Sequence, residues 1–171
     1  METTRRKTLS GTRFLSFILN GDVYCIRITN VKEIRGMTDI TRLPQTPDFI
    51  MGVINLRGQI VPVVDLRLRF GMPFLEYHER STIIVVEIEA RGEKDFLGIV
   101  VDKIQEVISL PAEQIRQVAY LKAKVKSEYI EGMAEVGDHI LIVLDIRKII
   151  DEEDYVQIVR TESPSEQGDA P

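Results

Sequence analysis

The residues with the strongest claim to chemistry are Asp65 and Asp145. Each closes an apolar run and precedes an apolar–arginine step, IVPVVDLR at 60–67 and ILIVLDIR at 140–147. Two carboxylates delivered by equivalent strand ends can share one proton and act as an acid–base pair, provided they lie within about 6 Å of each other. The same positions suit another task, since an aspartate between a strand and a helical start accepts that helix's first free amide hydrogens. The flanking residues favour capping, because Leu-Arg and Ile-Arg supply neither a small turn residue nor a hydroxyl to hold paired carboxylates.

Other routes to catalysis find no footing. Neither G-x-x-x-x-G-K nor G-x-G-x-x-G occurs, and no serine stands in a nucleophile elbow. Cys25 lies among Val23, Tyr24 and Ile26 and reads as a small core residue. As a single cysteine it makes no internal disulfide, in keeping with a reducing compartment. His78 and His139 stand far apart, without a cysteine or Glu-x-x-His grouping, so no metal and no cofactor is expected. The sequence predicts no enzyme.

Composition narrows the class. At 171 residues, 44% apolar and 29% charged, the chain has the makeup of a soluble globular protein with a sizeable core. No apolar run approaches the roughly 20 residues that span a bilayer, and no signal-peptide core follows the first residues, which predicts a cytoplasmic protein without membrane insertion. A net charge of −5 argues against nucleic acid, whose binding rests on a basic face. Phe14, Phe17, Tyr24 and Phe96 could stack on bases, but they sit in strand-like runs where core packing is the ordinary role. Partners are expected among proteins or small molecules.

The elements that carry these residues are short strands. Arg13–Leu19 and Val23–Ile28 flank Asn20-Gly21, a strong hairpin signal, and Val31–Arg35 makes a third strand that Gly36 ends. Thr46-Pro47-Asp48 offers a cap, a first-position proline and an early acid for one helical turn. Val53–Leu56 and Ile60–Val64 flank Arg57-Gly58, a second hairpin, and Pro62 predicts an edge strand or a bulge there. Asp65 caps a short helix that Gly71 ends and Pro73 keeps from resuming. Ser81–Glu89, Asp95–Val101, Ile104–Leu110 and the Tyr129–Asp145 hairpin, which turns at Gly137-Asp138, continue the strands. Ile146, Ile149, Ile150, Tyr155 and Val156 then fit a C-terminal helix against the core.

The two halves repeat each other. Residues 98–107 align with 25–34 at an offset of 73, and 140–147 with 60–67 at an offset of 80, which sets Gly132 on Gly52. The change in offset places a seven-residue insertion in the second half, with the stretch around Lys122, Lys124 and Lys126 as its natural home. Two all-β units, each too small to be comfortable alone, pack together. Residues 1–12 read as a basic arm, 13–78 as the first unit, 79–159 as the second with its C-terminal helix, and 160–171 as a disordered polar tail. Exchange of the first strand or the arm between units stays open. Arg57 stands out, because its aligned residue is Gly137.

Several ordered motifs together resemble one family. They are Val31-Lys32-Glu33-Ile34-Arg35-Gly36, residues 46–53 (TPDFIMGV), Asn55-Leu56-Arg57-Gly58, residues 60–67, and Gly98-Ile99-Val100-Val101-Asp102 with Val107. In this order and spacing the chain resembles the CheW family of chemosensory coupling proteins from Arg13 to about Ile150. The resemblance implies an all-β fold of two intertwined SH3-like five-stranded barrels and a non-catalytic adaptor role. It implies as partners the cytoplasmic tips of chemoreceptors, the regulatory domain of the histidine kinase CheA, and other copies of the family. Carried onto matching positions, it names Val31, Glu33, Gly52, Asn55, Arg57, Gly58 and Val107 as interface or interface-shaping residues. The basic arm and the tail from Arg160 depart from the pattern. Beside the resemblance, opposite charge suggests that Glu33 pairs with Arg57 and steadies its turn, and an apolar interface should leave Val31 or Ile34 exposed.

Overall fold

The computed structural model describes residues 11–90, 92–117, 127–151, 153–155 and 158. The chain runs through β1 (Thr12–Leu19), β2 (Asp22–Arg27), β3 (Val31–Gly36), β4 (Ile50–Leu56), β5 (Gln59–Asp65), helix α1 (Leu66–Arg69), β6 (Thr82–Ala90), β7 (Glu93–Val101), β8 (Lys103–Leu110), β9 (Ile130–Val136) and β10 (His139–Leu144). The expected hairpins form. Asn20-Gly21 and Arg57-Gly58 each place two successive residues at positive φ, the backbone that lets a two-residue turn follow strand twist. Short 3-10 turns cover Ile28–Asn30, Ala112–Gln114, Ser127–Tyr129 and Ile146–Lys148.

The strands form two five-stranded sheets, β3-β6-β7-β5-β4 and β8-β1-β2-β10-β9, the two SH3-like barrels. We refer to them by their repeat-related outer strands as the β4 barrel and the β9 barrel. Each barrel mixes both halves of the sequence. β1 and β2 belong with β8–β10, while β6 and β7 belong with β3–β5. The joins are the two parallel pairings, β5 with β7 and β10 with β2. A parallel pair needs a long crossover, which exchange between halves supplies. The division at residue 78 therefore marks the end of the first repeat in sequence and separates neither sheet from the other. The strand exchange that the sequence left open involves two strands each way.

The repeat is reproduced in the backbone register. Val63 pairs with Gly52 and Val64 with Ile50 across a bulge, while Val143 pairs with Gly132 and Leu144 with Ile130 across the same bulge. Just outside each bulge a bridge covers the strand edge, Thr41 to Val53 in one barrel and Arg116 to Met133 in the other. A Cβ on Gly52 would lie 2.0 Å from the Thr41 carbonyl oxygen, so this bridge admits only glycine. The Lys122–Lys126 insertion, residues 1–10 of the basic arm, Val156 and the tail lie outside the described residues, while Thr12, placed in the arm from the sequence, begins β1.

Three apolar clusters hold the molecule. Ile54, Val61, Val63, Ile83 and Val85 fill the β4 barrel, and Phe14, Cys25, Leu110, Leu141 and Val143 fill the β9 barrel. The largest cluster lies between the barrels and takes Phe17, Tyr24 and Ile26 from one and Val64, Ile84 and Ile99 from the other. Ile146, Ile149, Ile150 and Tyr155 join it as expected, but no helix starts at Ile146, where Ile146–Lys148 form a 3-10 turn, and the helical residues are 153–155 and 158.

Two local expectations are sharpened or corrected. Of the two alternatives at Pro62 the bulge is realised, since β5 meets β4 through a register shift at Ile50/Gly52, and the edge is not, since β4 lies outside β5. Pro62 faces Val53, whose own amide and carbonyl turn outward to Thr41, and the parallel pairing with β7 starts only at Val63. The missing amide hydrogen of Pro62 therefore falls just before that ladder begins, and the bulge itself lies in β4. Thr46-Pro47-Asp48 forms no helical turn. The Ile50 amide donates to the Pro47 carbonyl at 3.0 Å, a tight turn that feeds directly into β4.

Candidate protein-interaction site

Asp65 and Asp145 are separate caps. One oxygen of Asp65 accepts from the Leu68 amide at 3.3 Å and the other from the Tyr77 hydroxyl at 2.8 Å. Burial pushes its pKa up, against the hydrogen bonds from Tyr77 and the Leu68 and Arg67 amides, and the other carboxylate whose charge reaches it is Asp102. At Asp145 burial also pulls upward, but the Arg147 side-chain and amide hydrogen bonds outweigh it and hold the carboxyl below its ordinary value. Each acid is spent on its own neighbours. The Cys25 thiol is buried and pushed up to about 12 by desolvation. Phe14, Phe17 and Tyr24 are buried too, closed to any base.

The β4–β5 hairpin tip gives the surface its definition. Asn55 Oδ1 accepts from the Gly58 amide at 2.8 Å and pins the turn. Arg57 has φ 50°, a left-handed backbone that costs an ordinary residue about 1–2 kcal/mol. Its repeat counterpart Gly137 has φ 61°, so the scaffold calls for glycine and this copy carries arginine. Arg57 Nη2 meets Glu33 Oε2 at 2.5 Å, as the charge pattern predicts, and Arg35 Nε approaches the other Glu33 oxygen at 3.7 Å. Because β3 and β4 are the two outer strands of one sheet, the pair ties the hairpin tip back to β3 and helps close the barrel.

The structure thus brings Glu33, Asn55, Arg57 and Gly58 together. Gly52 lies apart from them, buried at the β4 bulge where Thr41 approaches, and Val31 is half-buried against the shared core. Ile34, 47% accessible, and Ile60, which pairs with Asn55, are exposed apolar neighbours. Val107 lies apart, on β8 of the β9 barrel, at 52%. It is the repeat counterpart of Ile34, so each barrel shows one exposed aliphatic residue on an equivalent outer strand.

A profile of the CheW-like domain matches residues 13–154. The chain belongs to the CheW-like domain family. It is 42% identical over 148 residues to the chemotaxis protein CheW of Klebsiella aerogenes, covering 86% of this chain and 87% of that one. Against CheW of Bacillus subtilis the identity is 31% over 147 residues, covering 84% and 90%. The crystal structure of the scaffolding protein TtCheW from Thermoanaerobacter tengcongensis superposes with a TM-score of 0.74 at 33% identity, covering 82% of this chain and 88% of that one. The CheW-like fold is therefore shared at the level of sequence and of backbone.

Within this CheW-like frame, three residues that sequence reasoning did not select hold the barrels to each other. Asp102 accepts from Arg67 Nε at 2.9 Å and from the Asn20 amide at 2.8 Å, linking α1 to the β1–β2 turn. Arg69 donates from Nε to the Ile149 carbonyl at 2.5 Å, and its guanidinium lies over the rings of Phe49 and Tyr129. Residues 69 and 149, like 49 and 129, are repeat counterparts, so Arg69 sits where the pseudo-two-fold relation passes through the molecule. The offset of 80 was the signal that could have paired them.

Among the described residues no group of histidine, cysteine or acidic side chains could hold a metal, and no helix is long and apolar enough to cross a membrane.

Proposed function

We propose that this chain is a non-catalytic adaptor that couples the cytoplasmic tips of chemoreceptors to the regulatory domain of the histidine kinase CheA. The observation that carries the reading is the hairpin tip: a strained arginine replaces the expected glycine, is held by Glu33, and stands 73% exposed at its side chain. A residue kept there at a conformational cost, and fixed in one orientation, suits recognition of a partner. Glu33, Asn55, Arg57 and Gly58 form the contact group, with Val31 and Gly52 shaping it. Val107 marks an equivalent place on the second barrel, so two surfaces stand at a separation fixed by the common core. The same reading makes the protein cytoplasmic, recruited to membrane-associated arrays where it also meets other copies of the family.

Co-sedimentation with CheA and receptor from the same source tests this directly. The chain is expected in a ternary complex, and failure to bind either partner would sink the proposal. Glu33→Ala and Arg57→Ala should each weaken receptor binding, with a coupling of up to about 1 kcal/mol between them, as for an exposed pair. Purely additive losses would remove the pairing from the mechanism.

A further inference from the structure

Strand β8 carries an irregularity that decides which of its side chains face outward. Leu15 pairs with Val107 and Phe17 with Ile104, so Ser16 alone faces Gln105 and Glu106 together, a bulge in β8. In an uninterrupted strand Ile104 and Ile108 would share one face and Val107 would take the other. The extra residue reverses this. Ile104 packs on the cluster between the barrels, whereas Ile108 packs inside the β9 barrel, like its register partner Phe14. Val107 thereby comes to the face of Leu15 and Ile104, where it stands 52% exposed. Slipping the strand back by one residue would turn its side chain toward the barrel interior.

One hydroxyl holds the bulge. Ser16 Oγ donates to the Glu106 carbonyl at 2.7 Å and accepts from the Glu106 amide at 3.1 Å. A single buried side chain thus meets both backbone groups of the residue before Val107. The other barrel solves the same problem differently. At the offset of 73, Glu106 and Val107 correspond to Glu33 and Ile34, and β3 bulges at the same place, between Val31 and Glu33. There Glu33 pairs with Val85, which has no hydroxyl to offer. That strand is fastened from the hairpin tip, by Arg57 on the Glu33 carboxylate. The β9 barrel has Gly137 at its tip and so no side chain for such a clamp. Each barrel fixes its outer strand with a different residue.

We infer that Ser16 is a positioning residue: its hydroxyl locks the β8 bulge and holds Val107 outward, the part that Arg57 plays for Glu33 and Ile34 in the other barrel. Buried as it is, the hydroxyl acts only through the Glu106 backbone. The consequence for binding rests on the reading of Val107 as a contact residue, while the orientation of Val107 is a property of the chain alone.

Two measurements on the full chain test these separately. Ser16→Ala and Ser16→Val, the latter copying Val85, remove the hydroxyl, and Ser16→Thr keeps it. Without the hydroxyl the Glu106 amide should exchange faster by about tenfold or more. The Val107 methyl signals should also lose their broadening by a soluble paramagnetic agent, while those of Ile34 keep theirs and the Ser16→Thr protein behaves as the parent. Val107 methyls as exposed as in the parent in both Ser16→Ala and Ser16→Val would overturn the inference. In binding titrations with receptor and CheA from the same source, Val107→Ala should weaken binding about fivefold in the parent and add nothing to Ser16→Ala. Glu33→Ala should weaken it equally in both backgrounds. Additive losses for Ser16→Ala and Val107→Ala would overturn the inference as well. A parent chain that binds neither partner would overturn the adaptor reading alone, and lost exposure of Val107 in Ser16→Ala would then still establish the positioning role.

Discussion

At the scale of single residues, the two aspartates show how one position in a repeat acquires two electrostatic characters. Asp65 is buried and its folded pKa is raised above the ordinary 3.8. The folded state then binds the proton more tightly than the unfolded state, so this residue's contribution to stability is lost as pH rises from about 3.8 through the folded value. Asp145 has its folded pKa lowered, so its contribution is present above the unfolded value and lost as pH falls through the folded one. Asp65→Asn keeps an oxygen for the Leu68 amide and a partner for Tyr77 while removing the buried charge. Its stability relative to the parent should therefore rise as pH increases above about 4 in urea titrations, whereas that of Asp145→Asn should be nearly flat there and change only below about pH 4, falling as pH rises from the folded Asp145 value to about 3.8. Parallel pH profiles for the two variants would contradict the assignment. That both residues are caps was legible from the apolar-Asp-apolar-Arg spacing. Their opposite shifts were not, because burial and the Tyr77 and Arg147 contacts are properties of the folded surroundings.

At the scale of elements, turns announced themselves and bridges did not. Asn-Gly, Arg-Gly and Gly-Asp between apolar runs fix hairpins through backbone preferences that are local to a few residues. The Glu33–Arg57 pair was also readable, as opposite charges on neighbouring elements, and Arg35 joins it because residues two apart on a strand share a face. The Thr41 and Arg116 bridges come from segments far from their strands, and only the alignment of Gly52 with Gly132 hinted at them. That pair offers a graded test. At Gly52, with φ 141°, an added Cβ would strike the Thr41 backbone, so Gly52→Ala must break the bridge. At Gly132 the nearest obstacle, at 2.6 Å, is the Ile115 side chain, which can rotate, with the Arg116 carbonyl oxygen at 3.0 Å. Chemical denaturation should show Gly52→Ala losing about 3 kcal/mol or more and Gly132→Ala about 1–2 kcal/mol. Equal losses would mean that the Thr41 bridge yields as easily as a side chain. The result also bears on function, since a partner-binding defect in Gly52→Ala would then come from a displaced β4 edge and not from a lost contact.

At the scale of the whole molecule, strand exchange decides how the protein holds together. Strands β2 and β7 read as continuous apolar runs because both faces are buried: Cys25 points to a private core while Tyr24 and Ile26 point to the shared one, and Val100 and Ile99 divide in the same way. Two-sided burial identifies central strands but not their neighbours, which is why the sequence revealed the duplication and left the exchange open. Each barrel contains strands from both halves, and the largest apolar cluster belongs to both, so neither barrel has a complete set of stabilising contacts without the other. The molecule should therefore open globally as one unit. Phe17 on β1 is fully buried in the shared cluster, and Phe17→Ala should cost about 3–5 kcal/mol. Native-state hydrogen exchange should register that loss equally at the slowest amides of β1 and of β6, although the two strands lie in different barrels. If β6 kept its full protection while β1 lost it, the barrels would be separately stable units joined only by contact, and the fixed spacing that an adaptor needs between its two surfaces would require another source.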